Sequence, residues 1–432
     1  WNRGFEARRK ARACGADAEE SWCPRNYADR LAPSALMFPW ESAHSGADVQ
    51  YVNGHMGPWG RYEQHISGDI ALAARQYWHA THDRAWLAEV GFPLAEGVAS
   101  FYAARLQPRP NGSPSAAYDL NQVMGPDEYQ WPVNNSAYSN AVARAVLEFA
   151  AEAAEVLGRA RQMHEGFRQM ARGLPVFTSN DVPGRPDLKG GYHPEYEGFP
   201  KNPKDMKVRQ ADAVLLSYPV GMNIDNRMLR NDLDFYEAVT DPHGPAMTWS
   251  LFAIAWLGVG DYGRSRAHFR RGYANAQPPY QVWSEFPPGG NFPGCVNFIT
   301  GAGGFLQSLL FGVPGLRVAR GGLRVAAAPP WATGTKASRL VLHSLHYLGS
   351  RLRLEVTTDA VRHELLSSTA GAPPLCLAVK GQPAARLEAG RPLEHGRELV
   401  ATVRACGKGG AAGAAASTAA PAAAKPVYVP VR

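Results

Sequence analysis

The sequence predicts a mainly α-helical domain followed by a small antiparallel β domain. Two observations carry that reading. Apolar residues recur every three or four positions from about residue 65 to 312, with Pro/Gly-rich loops between the segments. After Gly315 the texture changes to short alternating or β-branched runs separated by Gly, Pro and Asp-containing turns.

The first helical stripe is Ile66, Ile70, Ala73, Ala74, Tyr77 and Trp78. Further helices are predicted over 85–106, 137–157, 161–173, 226–239, 246–257, 262–274 and 303–311. Asn135 or Ser136 is the expected cap of the segment that starts at Ala137. Strands are predicted over 316–318, 323–326, 340–348, 352–356, 375–379 and 399–403. The Ala/Gly/Ser/Pro run 407–424 offers too little apolar area to offset the entropy of ordering and is expected to be disordered. The division read from this pattern is 1–314 helical, 315–404 β, and 405–432 a low-complexity tail.

At 432 residues and 45% hydrophobic, the chain holds enough apolar material for a large core, which excludes wholesale disorder. No apolar run approaches the roughly 18 to 20 residues needed to cross a bilayer, so no membrane partner is expected. The net charge of +7 is spread out except at Arg8-Arg9-Lys10, and no nucleic-acid-binding module accompanies it. Five scattered cysteines fit neither a disulfide framework nor a zinc site, which favours a reducing, cytoplasmic location without structural metal. His79 and His82 lack an acidic or thiol partner at ligand spacing, so they are not read as metal ligands. Trp1-Asn2-Arg3-Gly4 carries no initiator Met and no readable targeting signal, and the chain reads as a fragment or processed product.

Three loops carry candidate chemistry. Gly125-Pro126-Asp127-Glu128-Tyr129 forces a turn, presents adjacent carboxylates and precedes a helix. A carboxyl held there near Tyr129 and Trp131 can have its pKa raised by desolvation and donate a proton, although the motif also fits an exposed Asp-Glu turn. Glu63 stands where a helical stripe starts, and Glu285 follows Trp283 before a Gly/Pro loop. Aromatic rings beside acids recur in Phe38-Pro39-Trp40-Glu41 and in 192–199, a composition suited to a carbohydrate cleft. Gly301, Gly303 and Gly304 match neither a Walker nor a dinucleotide fingerprint and read as helix packing.

Taken in order, Phe38–Ala43, Glu63–Asp69, Gly125–Tyr129, Val133–Tyr138, Arg209–Asp212, Gly244–Ser250 and Thr300–Gln307 resemble the catalytic region of glycoside hydrolase family 65. The resemblance implies an (α/α)6 toroid, with its first helix and an upstream domain lying outside the chain. It implies an inverting α-glucosidase that needs no cofactor and releases glucose from an α-1,2-linked glucosyl-galactosyl or similar disaccharide. Glu128 matches the general acid, Glu285 the base that activates water, and Glu63 a further acid tied to activity. Trp40, Glu41, Arg209 and Gln210 match positions lining the sugar subsite. Inversion requires the acid and base carboxyls roughly 6.5 to 9.5 Å apart, which is the expected separation of Glu128 and Glu285. A non-catalytic sugar-binding relative, a trehalase and a disaccharide phosphorylase are the alternatives within the same resemblance.

Overall fold

The structure is a computed structural model that describes residues 30, 32–42, 48–52, 55–159, 161–200, 206–288, 294–334 and 336–407. The tail 407–424, expected to be disordered, lies outside the described residues apart from Gly407. The described residues divide into two compact units, one built on those up to 78 and on 83–241, the other on 79–82 and those from 242 onward.

The first unit is helical. Its centre is the helix Ala137–Leu157, which starts where the Ser136 side chain accepts the Ser139 N–H and stops at Gly158, whose φ of 66° few other residues adopt without strain. Ala141, Val142, Ala145, Val146 and Phe149 fall on its buried face, and the small residues let the helices Phe92–Arg105 and Arg161–Gly173 approach closely. Val98, Phe101 and Tyr102 of the first neighbour are fully buried against this core. The helix His65–Thr81 adds Ala71, Ala74 and Trp78.

The single helix expected over 85–106 is interrupted. A turn at Arg84–Trp86 runs into a π-helical turn, Leu87–Gly91, before Phe92–Arg105 resumes. Pro93 explains the break, because it has no N–H to continue the ladder and its ring crowds the preceding turn.

The second unit combines helices Met247–Gly258, Tyr262–Gly272 and Ile299–Gln307 with antiparallel sheets. Ile299–Gln307 begins four residues earlier than the predicted 303 and passes into a π turn over Ser308–Gly312. A four-stranded sheet orders Leu393–Gly396, Ala360–Ser368, Ser350–Thr357 and Arg339–Tyr347. A five-stranded one orders Ala385–Arg386, Leu375–Val379, Ala401–Ala405, Gly322–Val325 and Arg317–Ala319. Along Ser350–Thr357 alternate residues Leu352, Leu354 and Val356 point into a core shared with Leu323, Val361, Leu377 and Val403. Helix-rich and antiparallel β regions are therefore both present, in the order the hydrophobic pattern gives.

The strands Ala360–Ser368 and Leu393–Gly396 were not among those predicted. In each, a histidine occupies an inward position: His363 stands opposite Leu354, and His395 opposite Val361. Their buried rings stack, Nε2 to Nε2 at 3.1 Å. The His395 Nδ1–H donates to the Gly396 carbonyl at 2.8 Å, leaving its Nε2 to accept from His363. Burial, followed by the neighbouring His395, pushes the His363 imidazole down to about 3.

Cys376 and Cys406 form a disulfide across a separation of 30 residues. This corrects the reading of the cysteines as unbridged. They sit on neighbouring antiparallel strands or just beyond one, a pairing that no short Cys spacing announces. Disulfides persist in oxidising compartments, so the cysteine-based argument for a reducing location is withdrawn. Among the described residues no helix is long and apolar enough to cross a membrane.

Candidate active site

In the first unit the candidate residues converge on Glu128. The loop that carries it is fixed at both ends: Met124 N–H donates to the Tyr62 carbonyl at 2.8 Å, and Val123 and Val133 bond each other's backbone. Gly125 is required by close approach, since a Cβ there would meet the Asp212 carboxylate at 2.4 Å. The Glu128 side chain is only 13% exposed, with Oε2 accepting the Trp59 indole N–H at 2.6 Å and lying 3.3 Å from the Arg209 guanidinium.

Beside it, Glu63 ends the short helix Pro58–Tyr62 and is buried, with Trp40 donating its indole N–H to Oε2 and no hydrogen-bond partner on Oε1. Burial above all, then the negative charges of Glu128 and Asp69, pushes the Glu63 carboxyl well above the usual carboxylate range, against the opposing pull of Arg209. Trp40 and Trp59, the two indole donors, stand 6.4 Å apart. Two acids, one pushed well above the usual range by burial and one 3.3 Å from an arginine, thus lie under adjacent indoles.

Behind Glu63, His65 Nδ1 meets Asp69 at 2.9 Å, and the Tyr138 hydroxyl donates to the other Asp69 oxygen at 2.8 Å. Around Glu128, Tyr129 and Trp131 are exposed rings. The Tyr129 hydroxyl donates to Asp241 at 2.9 Å, Lys207 bonds the same oxygen, and Trp131 stacks on Tyr62 at 5.9 Å.

Of the predicted site residues, Trp40, Glu63, Glu128 and Arg209 come together. Gln210 is buried behind the acid loop, its amide donating to the Pro126 carbonyl. Glu41 is exposed, and its carboxylate accepts from Gln50 at 3.0 Å. The loop 192–199, read as part of a carbohydrate cleft, is instead packed inward: Tyr192, His193 and Glu195 are buried, and Glu197 pairs with Arg109. Burying polar loops requires partners, and His193 finds one in Asp232 at 2.8 Å.

The sequence reading missed Trp59, Asp127 and Asp212. Trp59 sits in Gly57-Pro58-Trp59-Gly60, where Pro58 at the first helical position marked a helix start and hence a fixed ring. Asp127 and Asp212 lay inside quoted motifs but only their burial shows their role. Burial pushes the Asp127 carboxyl up to about 6 despite two backbone N–H donors, and the Asp212 carboxyl up to about 8.

In the second unit, Glu285 is half-buried and held through its backbone. Its carbonyl accepts from Ala246 N–H at 2.9 Å and from the Asn275 amide at 3.1 Å, and its N–H donates to Cys295 at 2.9 Å. Carboxylate oxygen Oε2 accepts from Cys295 N–H at 3.0 Å. Gly294, at φ 64°, leaves room for that carboxylate, which a Cβ would meet at 2.5 Å. The Trp283 indole, expected to wall a cleft, donates to the Gly272 carbonyl at 3.0 Å and packs on Phe305. Residues 289–293 of the neighbouring Gly/Pro loop lie outside the described residues.

Residues 24–174 match the Glycosyl hydrolase family 65 central catalytic domain. A protein-glucosylgalactosylhydroxylysine glucosidase from Danio rerio is 37% identical over 337 residues, covering 78% of this chain and 47% of its own length. A kojibiose hydrolase from Mucilaginibacter mallensis is 34% identical over 289 residues, covering 66% of this chain and 39% of its own length. The chain thus spans about half or less of the length of these curated relatives. A solved structure from the human microbiome that carries the name kojibiose phosphorylase superposes with a TM-score of 0.61 at 14% identity, covering 86% of this chain and 52% of that one, which shows a shared fold. The chain belongs to glycoside hydrolase family 65.

Proposed function

We propose that the chain is the catalytic part of an inverting α-glucosidase that releases glucose from an α-1,2-linked glucosyl-galactosyl disaccharide, on hydroxylysine or a similar aglycone. The observation that carries the proposal is the setting of Glu128, a mostly buried carboxyl between the Trp59 N–H and Arg209, with the buried acid Glu63 beside it. The names of the relatives supply the substrate class.

In this reading Glu128 gives its proton to the glycosidic oxygen while water, deprotonated by Glu285, attacks the anomeric carbon from the opposite face. The carbon–oxygen bond breaks and glucose leaves with inverted configuration. Glu63 is a further acid beside Glu128, its carboxyl pushed up by burial, and Trp40 and Arg209 line the sugar subsite. Acid and base together supply and remove the proton, so the reaction calls for no metal or cofactor, and the partner is carbohydrate rather than nucleic acid or membrane. The helices through 314 are assigned to a toroidal catalytic domain and 315–404 to an appended β domain. A cytoplasmic location is not part of the proposal, because the Cys376–Cys406 disulfide speaks for an oxidising one.

The test is glucose release from kojibiose, trehalose and glucosylgalactosyl-hydroxylysine by the wild type and Glu128→Gln, with and without phosphate. Loss of roughly a hundredfold or more of the activity in the variant is expected. Equal turnover by both forms removes Glu128 as the acid, and a requirement for phosphate moves the chain to phosphorolysis.

A further inference from the structure

The residue before Glu128 does more than complete a turn. Asp127 is 2% exposed, and its Oδ1 accepts two backbone donors, Tyr129 N–H at 3.1 Å and Arg209 N–H at 2.7 Å. Its own N–H donates to Asp212 Oδ2 at 2.9 Å. The Gln210 amide ties the Pro126 carbonyl to the same segment, and the missing side chain at Gly125 lets Asp212 sit against the loop. The two residues before Glu128 are therefore bonded to the segment that carries Arg209, the cation that meets Glu128, and the residue after it shares the same Asp127 oxygen.

We infer that Asp127 is a positioning residue for Glu128, its carboxylate clamping the acid loop to the backbone of Arg209, with Asp212 holding the clamp in place. This rests on the reading of Glu128 as the acid. A single carboxylate oxygen shared by Tyr129 and Arg209 sets the spacing between the residue that follows Glu128 and the residue that pairs with it. Hydrogen bonds to an ionised acceptor are roughly twice as strong as those to a neutral one, so the clamp depends on charge.

The charge is contested. Around Asp127 stand Glu128, Asp212 and Glu195 as acids and Arg209 as the cation. Glu195 is fully buried, neither of its carboxyl oxygens has a hydrogen-bond partner, and burial pushes it well above the ordinary range. Asp212, pushed up to about 8, is chiefly neutral at pH about 7, whereas Asp127, at about 6, is chiefly ionised. The clamp is thus engaged above about pH 6 and slackens below it.

The experiment follows Asp127→Asn, Asp212→Asn and Asp212→Ala in the full chain. It measures kcat and KM from about pH 5 to 8, and amide exchange in peptides that contain Tyr129 and Arg209. Asp127→Asn keeps an acceptor but never a charge, so kcat at about pH 7.5 should fall about tenfold with KM nearly unchanged. The gap to wild type should close towards pH 5, where the native clamp is also neutral. Protection at Tyr129 and Arg209 should fall together. Asp212→Asn, isosteric with the neutral acid and able to accept from Asp127, should stay near wild type, while Asp212→Ala should reproduce the loss.

A wild-type-to-variant ratio that is flat in pH reduces Asp127 to a structural residue and overturns the inference, as does an unchanged kcat. An inactive Glu128→Gln beside a normal Asp127→Asn refutes the clamp and leaves the proposed function standing. A fully active Glu128→Gln removes acid and positioning residue together. The exchange arm stands without turnover: independent protection of Tyr129 and Arg209 contradicts the clamp.

Discussion

Around Glu128 the first unit buries four further carboxyls, Glu63, Asp127, Glu195 and Asp212, while the β layer of the second buries two imidazoles, His363 and His395. Loss of water disfavours the charged form in both places, so the acids are pushed up and His363 is pushed down. The histidines satisfy each other through a neutral hydrogen bond beside the apolar residues of the sheet core. The acids do not: Asp127 Oδ2, Asp212 Oδ1 and both oxygens of Glu195 are buried without a partner. One region has used burial to settle its polar groups, and the other crowds several acids around Glu128, the proposed proton donor. Such crowding costs stability, and perturbed acids cluster at functional sites.

Four changes break or sharpen that contrast. The largest effect is expected in the settled region: Leu354→Ala, at a position 2% exposed in the sheet core, should lower the stability of the second unit by about 2–5 kcal/mol in a urea titration. A smaller loss, about 3 kcal/mol, should follow replacement of Cys376 and Cys406 by serine, because the bridge closes a 30-residue loop in the unfolded chain. In the poised region, Trp59→Phe removes the indole N–H from Glu128 and should cut kcat/KM by roughly tenfold or more, with little change in melting temperature.

A change of pH separates the regions by sign. Glu63, Asp127, Asp212 and Glu195 bind their protons more tightly folded than unfolded. Their contribution to stability is present below about pH 4 and is lost as pH rises through about 6 for Asp127 and about 8 for Asp212. His363 behaves oppositely: the unfolded chain binds its proton near pH 6.5 and the folded one only near 3, so stability is lost as pH falls from about 6.5 towards 3. Peptide-resolved exchange, corrected for intrinsic rates, should show the first unit better protected at about pH 5 than 8, and the sheet around His363 the reverse. A common pH trend in the two units contradicts this assignment of buried charge.

How much of this could be read from the sequence differs by region for physical reasons. The helix Ala137–Leu157 was legible because its apolar stripe and its N-terminal cap, Ser136, are local signals. The strand Ala360–Ser368 was not, because an inward histidine breaks the alternation of apolar residues and only its partner across the sheet explains it. In the same way Glu63, Glu128 and Arg209 stand in recognisable motifs, while the indole that holds Glu128 and the clamp beneath it depend on contacts between segments distant in sequence. Trp283 shows the converse, an aromatic ring beside an acid that the fold spends on packing. Residue type suggested the chemistry, and contacts between distant segments decided which of the suggested groups came together.

The central claim is acid-catalysed hydrolysis with inversion, and proton NMR of the first glucose released from an α-1,2-linked substrate in buffer without phosphate tests it most directly. β-Glucose is expected to appear first and mutarotate to the equilibrium mixture, with the signal abolished in Glu128→Gln. Initial α-glucose, or release that survives the loss of the Glu128 carboxyl, contradicts it.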